Sequence, residues 1–279
     1  MAGLQEQKSN ADAFRAMHRG PKVLLLPNAW DVASARVLED TGIRAIATSS
    51  AGVAFSLGYA DGQKISRGEM LQVVARIARA VRVPVTADVE AGYGNRPEDA
   101  AETAQEVIDA GAVGMNLEDA KDDPEHPLIE LALQLERIAA VREVAKAAGV
   151  PLVLNARTDV YLKQIGAPEG RYDEALRRLA AFRDAGADCV FAPGLQDPAT
   201  IGRLVRDLGC PLNILAGPGF ASVLELEKLG VARVSLGSGV MRATLGLLQR
   251  IAEELQSSGT YRGLEGAPPF AVVNELMEG

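Results

Sequence analysis

Two apolar runs in this chain end in acids. "TADVEAGYGN" (86–95) places Asp88 and Glu90 ahead of a glycine-rich bend, and "VGMNLE" (113–118) ends on Glu118. Residues two apart on an extended segment point the same way, so Asp88 and Glu90 are expected to share one side, with Glu118 facing them from a neighbouring strand. Three carboxylates without a lysine among them repel one another in a partly desolvated mouth. A divalent cation removes that repulsion. Mg2+, with Mn2+ as a substitute, takes one or two carboxylates, keeps waters and leaves room for a chelating substrate. The competing reading is that such acids cap helices or turn the chain; Asp31, ahead of a helix, and Asp159 fit it well.

Arg157, in "NARTD", is the one basic residue at these run ends. Its fork suits a bidentate grip on a substrate carboxylate or phosphonate, and an internal salt bridge to the same acids is the alternative. Ser49, Ser50 and Ala51, in "SSAG", offer hydroxyls and backbone N–H groups to an anion where a helix begins. Asn28, Asp119, Asn155 and Asn213 complete the polar residues at these positions.

Such residues need a scaffold. Eight short apolar runs alternate with longer amphipathic ones: 22–27, 44–49, 83–88, 113–118, 151–156, 188–193, 211–216 and 232–237. Several of the helical segments close on glycine, as in "EDTGIRA", "IDAGAVG", "RDAGADC" and "EKLGVAR", the residue a left-handed helix cap requires. The pattern predicts an α/β fold, a TIM (β/α)8 barrel spanning about 22–256 within a single domain, 1–279. A doubly wound sheet is the alternative, but it more often has six strands. An amphipathic segment at 9–19 is placed to cap the barrel floor. The tail from 257, ending in a short apolar helix behind Pro268-Pro269, is read as an arm that packs on another subunit.

Composition sets limits on partners. The 279 residues are 48% hydrophobic and 4% aromatic, so the core must be aliphatic. A net charge of -8 disfavours nucleic acid and anionic membranes. The start "MAGLQEQKSNADAF" has no signal-peptide pattern, no run reaches bilayer length, and cytoplasmic residence is expected. Only His18 and His126 are available to a histidine-rich zinc site, and Cys189 and Cys210 look structural. Glycine loops at 216–220 and 236–240 follow the last two runs, where many barrels hold a phosphate. Neither carries a nearby lysine.

From "LLLPNAWD" to "SLGSGVMRA", the chain resembles the isocitrate lyase/phosphoenolpyruvate mutase superfamily. "SSAGVAFSLGYAD", "TADVEAGYG", "AGAVGMNLED" and "NARTD" carry the resemblance, in order. It implies a barrel that binds Mg2+ and a small 2-oxo acid, as a homo-oligomer, dimer or tetramer, with C-terminal helices swapped between subunits. By resemblance Asp88 is the acid nearest the metal, with Glu90 and Glu118 reaching it mostly through water, and Asp61 lies near a metal water. Ser49, Ser50 and Ala51 match the substrate-carboxylate loop, Arg157 the anion-gripping arginine and Asn213 a substrate-contacting asparagine. Glu90 stands where the family commonly has Asp, and Ser50 replaces a frequent glycine.

The departures narrow the chemistry. Where isocitrate and methylisocitrate lyases carry a K-[KR]-C-G-H loop, this chain has "DAKDDPEHPLIE", with no cysteine. The asparagine-bearing loop of the mutases is missing too. What remains is a reaction needing metal and arginine but no loop cysteine: a Mg2+-dependent carbon–carbon lyase on a small 2-oxo or 2-hydroxy dicarboxylate, oxaloacetate decarboxylase-like. The alternatives are phosphonopyruvate hydrolase or phosphoenolpyruvate mutase chemistry, and a catalytically idle 2-oxo acid binder. Asp122, Asp123, Glu125 and His126 read as a solvated loop.

Overall fold

A proline divides the first barrel strand. In the computed structural model, which describes residues 3–278, β1 (Leu24–Leu26) stops at Pro27 and the chain resumes as β2 (Asn28–Ala29). Proline has no N–H to give a ladder, so pairing lapses there. β1 pairs with β9 (Arg233–Ser235) and β2 with β3 (Ile46–Thr48), so one broken strand closes the ring from both sides.

The remaining strands are β4 (Val85–Ala87), β5 (Gly114–Glu118), β6 (Val153–Arg157), β7 (Cys189–Phe191) and β8 (Leu212–Leu215). All neighbours are parallel, in the order β1-β9-β8-β7-β6-β5-β4-β3-β2. The eight expected runs therefore become nine strand segments of a TIM barrel, and each segment falls within a residue or two of an expected run.

Helices α1 (Leu4–Met17), α2 (Val32–Asp40), α3 (Ser50–Ser56), α4 (Arg67–Ala80), α5 (Pro97–Asp109), α6 (Leu131–Ala148), α7 (Arg171–Asp184), α8 (Pro198–Leu208), α9 (Val223–Lys228), α10 (Gly239–Ser257) and α11 (Phe270–Glu278) surround or extend the ring. None of the described helices is long and apolar enough to cross a membrane. Gly111, after α5, has φ +88°, a left-handed cap that lets β5 start three residues later.

Helix α1 closes the barrel floor. Gln7 donates through Nε2 to the carbonyls of Ile108 (2.8 Å) and Ala112 (3.1 Å), and Phe14 is fully buried. Gly114 makes room for it: a Cβ there would lie 2.9 Å from the Phe14 ring and 2.8 Å from Thr86 Oγ1.

His18 follows Phe14 into the floor, 4% exposed, with Nδ1 2.9 Å from the Phe14 carbonyl. Burial, with the nearby charge of Arg233 adding to it, pushes its pKa down from 6.5 to about 4. The unfolded chain therefore binds the extra proton between these values, and stability falls as pH drops through that window. The loss expected from His18 is about 3 kcal/mol between neutral pH and pH 4. Urea titrations at both pH values should show it in the wild type and not in His18→Gln; equal losses in the two proteins would refute it.

At the other end, α11 lies on α2 of its own chain, where Arg36 donates through Nη1 to the Leu276 carbonyl (2.7 Å). Phe270 (85%), Val272 (52%) and Leu248 of α10 (61%) remain exposed on the single chain. The expected subunit contact would fall on these residues.

Candidate active site

The upper ends of β4, β5 and β6 bring most of the expected residues together. Asp88 follows β4; its N–H donates to Thr48 Oγ1 (2.8 Å), which fixes the backbone where the strand ends. Ser50, the first residue of α3, donates to Asp88 Oδ2 twice, from N–H (3.0 Å) and Oγ (2.8 Å). Asn116 of β5 approaches Oδ1 from Nδ2 at 3.3 Å. The Asp88 carboxylate is thus aimed by its neighbours.

Glu90 reaches the site by a route different from the expected one. The strand ends at Ala87 and Glu90 sits in a turn with φ +52°, so simple alternation does not carry it there. Its Oε2 accepts from the Gln63 N–H (2.8 Å), while Oε1 is buried with no partner. Burial, then the charge of Asp88, pushes its pKa up to about 7.

Glu118 is compensated, contrary to the expectation of three uncompensated acids. Arg157 Nη1 lies 2.7 Å from Glu118 Oε2, and the same guanidinium forks Asp159 through Nε (2.6 Å) and Nη2 (3.0 Å). Burial raises the Glu118 pKa well above its usual value, with Arg157 opposing. For Arg157, burial is outweighed by Glu118 and Asp159, and its pKa rises. Three of the five guanidinium donors are engaged, so the internal salt bridge is present and leaves two N–H donors uncommitted.

Asp159, which the sequence reading assigned to a turn, instead pairs with Arg157 at the site. Spaced two from Arg157, it orients that arginine, and Asp119 holds it in turn by accepting from the Asp159 N–H (3.0 Å) and Thr158 Oγ1 (2.7 Å). Arg178 of α7 backs Asp119 at 3.2 Å. Burial pushes Asp119 up to about 6 despite these donors. Asp31, by contrast, caps α2 as expected, accepting from Ser34 N–H at 2.7 Å.

Ser49 caps α3, its Oγ accepting from Gly52 N–H (3.1 Å). With Ser50 N–H and Gly52 N–H committed, the Ala51 N–H is the donor of that first turn left for a ligand among the described residues. Asp61, exposed in the loop after α3, has its pKa raised by desolvation of the carboxyl, with Asp88 adding and Arg157 opposing, so it lies in the same field. Asn213 shares a register row with the site, Glu118–Arg157–Phe191–Asn213, but is fully buried and accepts from Ser235 Oγ at 3.3 Å. Its Nδ2 is buried in the barrel interior with no partner among the described residues.

The loop 119–130 folds back on itself through the Ala120–Leu128 bridge, and Asp122 pairs with Lys64 from across the mouth (3.0 Å). His126 is exposed there. The glycine loop at 236–240 has its Leu236 and Gly237 N–H groups donated to Asn28 Oδ1 (2.9 and 2.8 Å), which leaves those two unavailable to a phosphate. Cys189 is buried, with its thiol pushed up to about 12 by burial.

A family model described as phosphoenolpyruvate phosphomutase matches residues 14–256. The chain belongs to this family. Within the isocitrate lyase/phosphoenolpyruvate mutase superfamily of lyases and mutases, a solved Burkholderia cenocepacia structure, named only provisionally as a lyase/mutase, is 39% identical with a TM-score of 0.93, covering 99% of this chain and 98% of that one. An uncharacterised Mycobacterium tuberculosis protein is 36% identical over 81% of this chain and 82% of its own length. An oxaloacetate decarboxylase of Rhodopseudomonas palustris is 27% identical over 97% of this chain and 92% of its own length.

A divalent metal fits this member of the family. Among the described residues no three His, Cys, Asp or Glu side chains gather closely enough to wrap a metal alone. The donors present are nonetheless hard oxygens, one of them, Glu90 Oε1, buried and unpartnered, and burial with the charge of Asp88 pushes the Glu90 carboxyl up to about 7, a cost that a nearby cation would offset. That arrangement suits Mg2+, which keeps most of its waters and reaches distant carboxylates through them.

Proposed function

We propose that the protein is a Mg2+-dependent carbon–carbon lyase acting on a small 2-oxo or 2-hydroxy dicarboxylic acid, with oxaloacetate as the first candidate. The observation that carries this is a forked arginine, Arg157, held by Asp159 and Glu118 beside the Asp88–Glu90 acids, which supports reading them as an anion grip next to a cation site. The family membership and the oxaloacetate decarboxylase relative support it.

Asp88 would hold Mg2+ directly, with Glu90, Glu118 and Asp61 reaching it through water. When bound, the metal would polarise the 2-oxo group and stabilise the enolate charge as it develops. The rest is the work of side chains. Ser50 fixes the Asp88 carboxylate, and Arg157 offers its two uncommitted N–H donors to a substrate carboxylate. The Ala51 N–H supplies a further donor at the start of α3. In oxaloacetate the C3–C4 bond breaks, CO2 leaves and the electron pair stays on C3, where a proton from water completes pyruvate. No cysteine is needed.

Purified protein with Mg2+ and oxaloacetate should form pyruvate faster than Mg2+ alone, in a coupled assay corrected for the metal-only rate. The family model's own name favours one other class, cleavage or rearrangement of a carbon–phosphorus bond. Phosphonopyruvate followed by phosphorus NMR tests it. Pyruvate at the metal-only rate, with turnover of phosphonopyruvate, would overturn the decarboxylase reading in favour of the second.

A further inference from the structure

Behind the acids lies a charge that the chemistry above does not use. Arg137 of α6 is fully buried, and its hydrogen-bond acceptors are neutral. Nη2 donates to the carbonyls of Ala91 and Gly94 (3.1 Å for the latter), and Nη1 donates to Gln134 Oε1 at 2.5 Å and lies 3.5 Å from the Glu118 carbonyl. Burial lowers its pKa to about 10, with Asp99, Asp119 and Glu118 opposing, so it stays charged at neutral pH. Burying a cation without a carboxylate to pair with is costly, and a fold keeps one where its donors hold something else in place.

The turn it grips is strained. Glu90 (φ +52°), Gly92 (+81°) and Tyr93 (+56°) all lie in the left-handed region, two of them without glycine's freedom. A non-glycine residue held there is strained and persists only when its surroundings impose it. Thr103 Oγ1 donates to the Gly92 carbonyl (2.8 Å), and Gln63 Oε1 accepts from Tyr93 N–H (2.7 Å). Arg137 supplies the interior contacts, and a Cβ on Gly92 would come within 3.3 Å of its Nη2.

We propose that Arg137 is a positioning residue of the active site, fastening the strained turn that presents Glu90 to the strand end that presents Glu118. The inference rests on reading these acids as the reaction site. One guanidinium spans two segments that carry metal-side carboxylates. It also sets a positive charge behind them without competing for their oxygens.

The test uses Mn2+ alone as the probe, with the wild type, Arg137→Met, Arg137→Lys and, as a control, Arg142→Met. Arg142 is another arginine of α6, held by the Leu152 carbonyl (2.8 Å) and Asp188 (2.9 Å) away from the acids. In Arg137→Met the Mn2+ dissociation constant is expected to rise about tenfold or more, with partial recovery in Arg137→Lys. Amides 91–94 should exchange about tenfold faster in Arg137→Met. Arg142→Met should lose thermal stability and move neither readout, which separates positioning from a purely structural role. Mn2+ affinity within about twofold of wild type, with amide protection kept, would overturn the proposal. If the wild type takes up no Mn2+, the metal reading fails by itself and the amides alone decide on Arg137: unchanged protection overturns it. Should Arg137→Met fail to fold, Arg137→Lys carries the same readouts.

Discussion

Arg157→Met is expected to lower kcat/KM by about a thousandfold and to destabilise the fold by about 3–5 kcal/mol at neutral pH. Both effects come from one guanidinium. Its loss would remove the proposed anion grip and leave Glu118 and Asp159, 8% and 2% exposed, without the cation that compensates them. Glu118 is already pushed well above its usual pKa by burial, and Arg157 is what opposes that shift. Without it the folded-state pKa rises further, so the native state binds a proton that the unfolded chain gives up above its ordinary value of 4.5. The variant should therefore lose stability as pH rises from that value, the opposite of the trend His18 imposes on the wild type. Arg157→Lys keeps a charge but cannot fork Asp159, and should recover more stability than activity. Urea midpoints at two pH values, alongside kinetics, check this; a Met variant as stable as wild type at neutral pH would mean that the pair contributes little.

The barrel was legible because buried parallel strands read as continuous apolar runs and the helices between them stop at glycine. Pro27 was visible too, yet an apolar run reads the same whether or not a proline interrupts its ladder. At the site, Asp88 and Arg157 stood out as charged residues ending such runs. Asp159 did not, since an acid after a strand more often caps a turn, although its spacing of two from Arg157 carried the signal. Glu90 was placed in the right neighbourhood on the wrong backbone: alternation was extended past Ala87, where the strand ends, and nothing in a glutamate announces a positive φ. Arg137 was invisible. It sits in a helix like any solvent-facing arginine, and its partners, the carbonyls of Ala91 and Gly94, lie 46 and 43 residues away and have no side-chain signature.

Asp88→Asn isolates the proposed metal side of the same site. The amide keeps the shape of the carboxylate, and its oxygen can still accept from the Ser50 hydroxyl, so the fold should survive. What goes is the negative charge that a divalent cation needs. Mn2+ affinity is expected to fall by more than about a hundredfold, the upper end of what even an outer-sphere partner costs, with pyruvate formation returning to the metal-only rate. One change should run the other way. Asp88 is, after burial, the largest influence raising Glu90 to about 7, so in the variant the Glu90 carboxyl should titrate lower. A raised acid pKa costs the folded state stability as pH climbs from 4.5 through 7, and that loss should shrink in Asp88→Asn. Apo-protein melting across this window, set beside Mn2+ titrations, reads both effects. Retained Mn2+ affinity in Asp88→Asn, with loss in Glu90→Gln or Glu118→Gln, would move the cation to those carboxylates and leave Ser50 orienting a group that holds no metal.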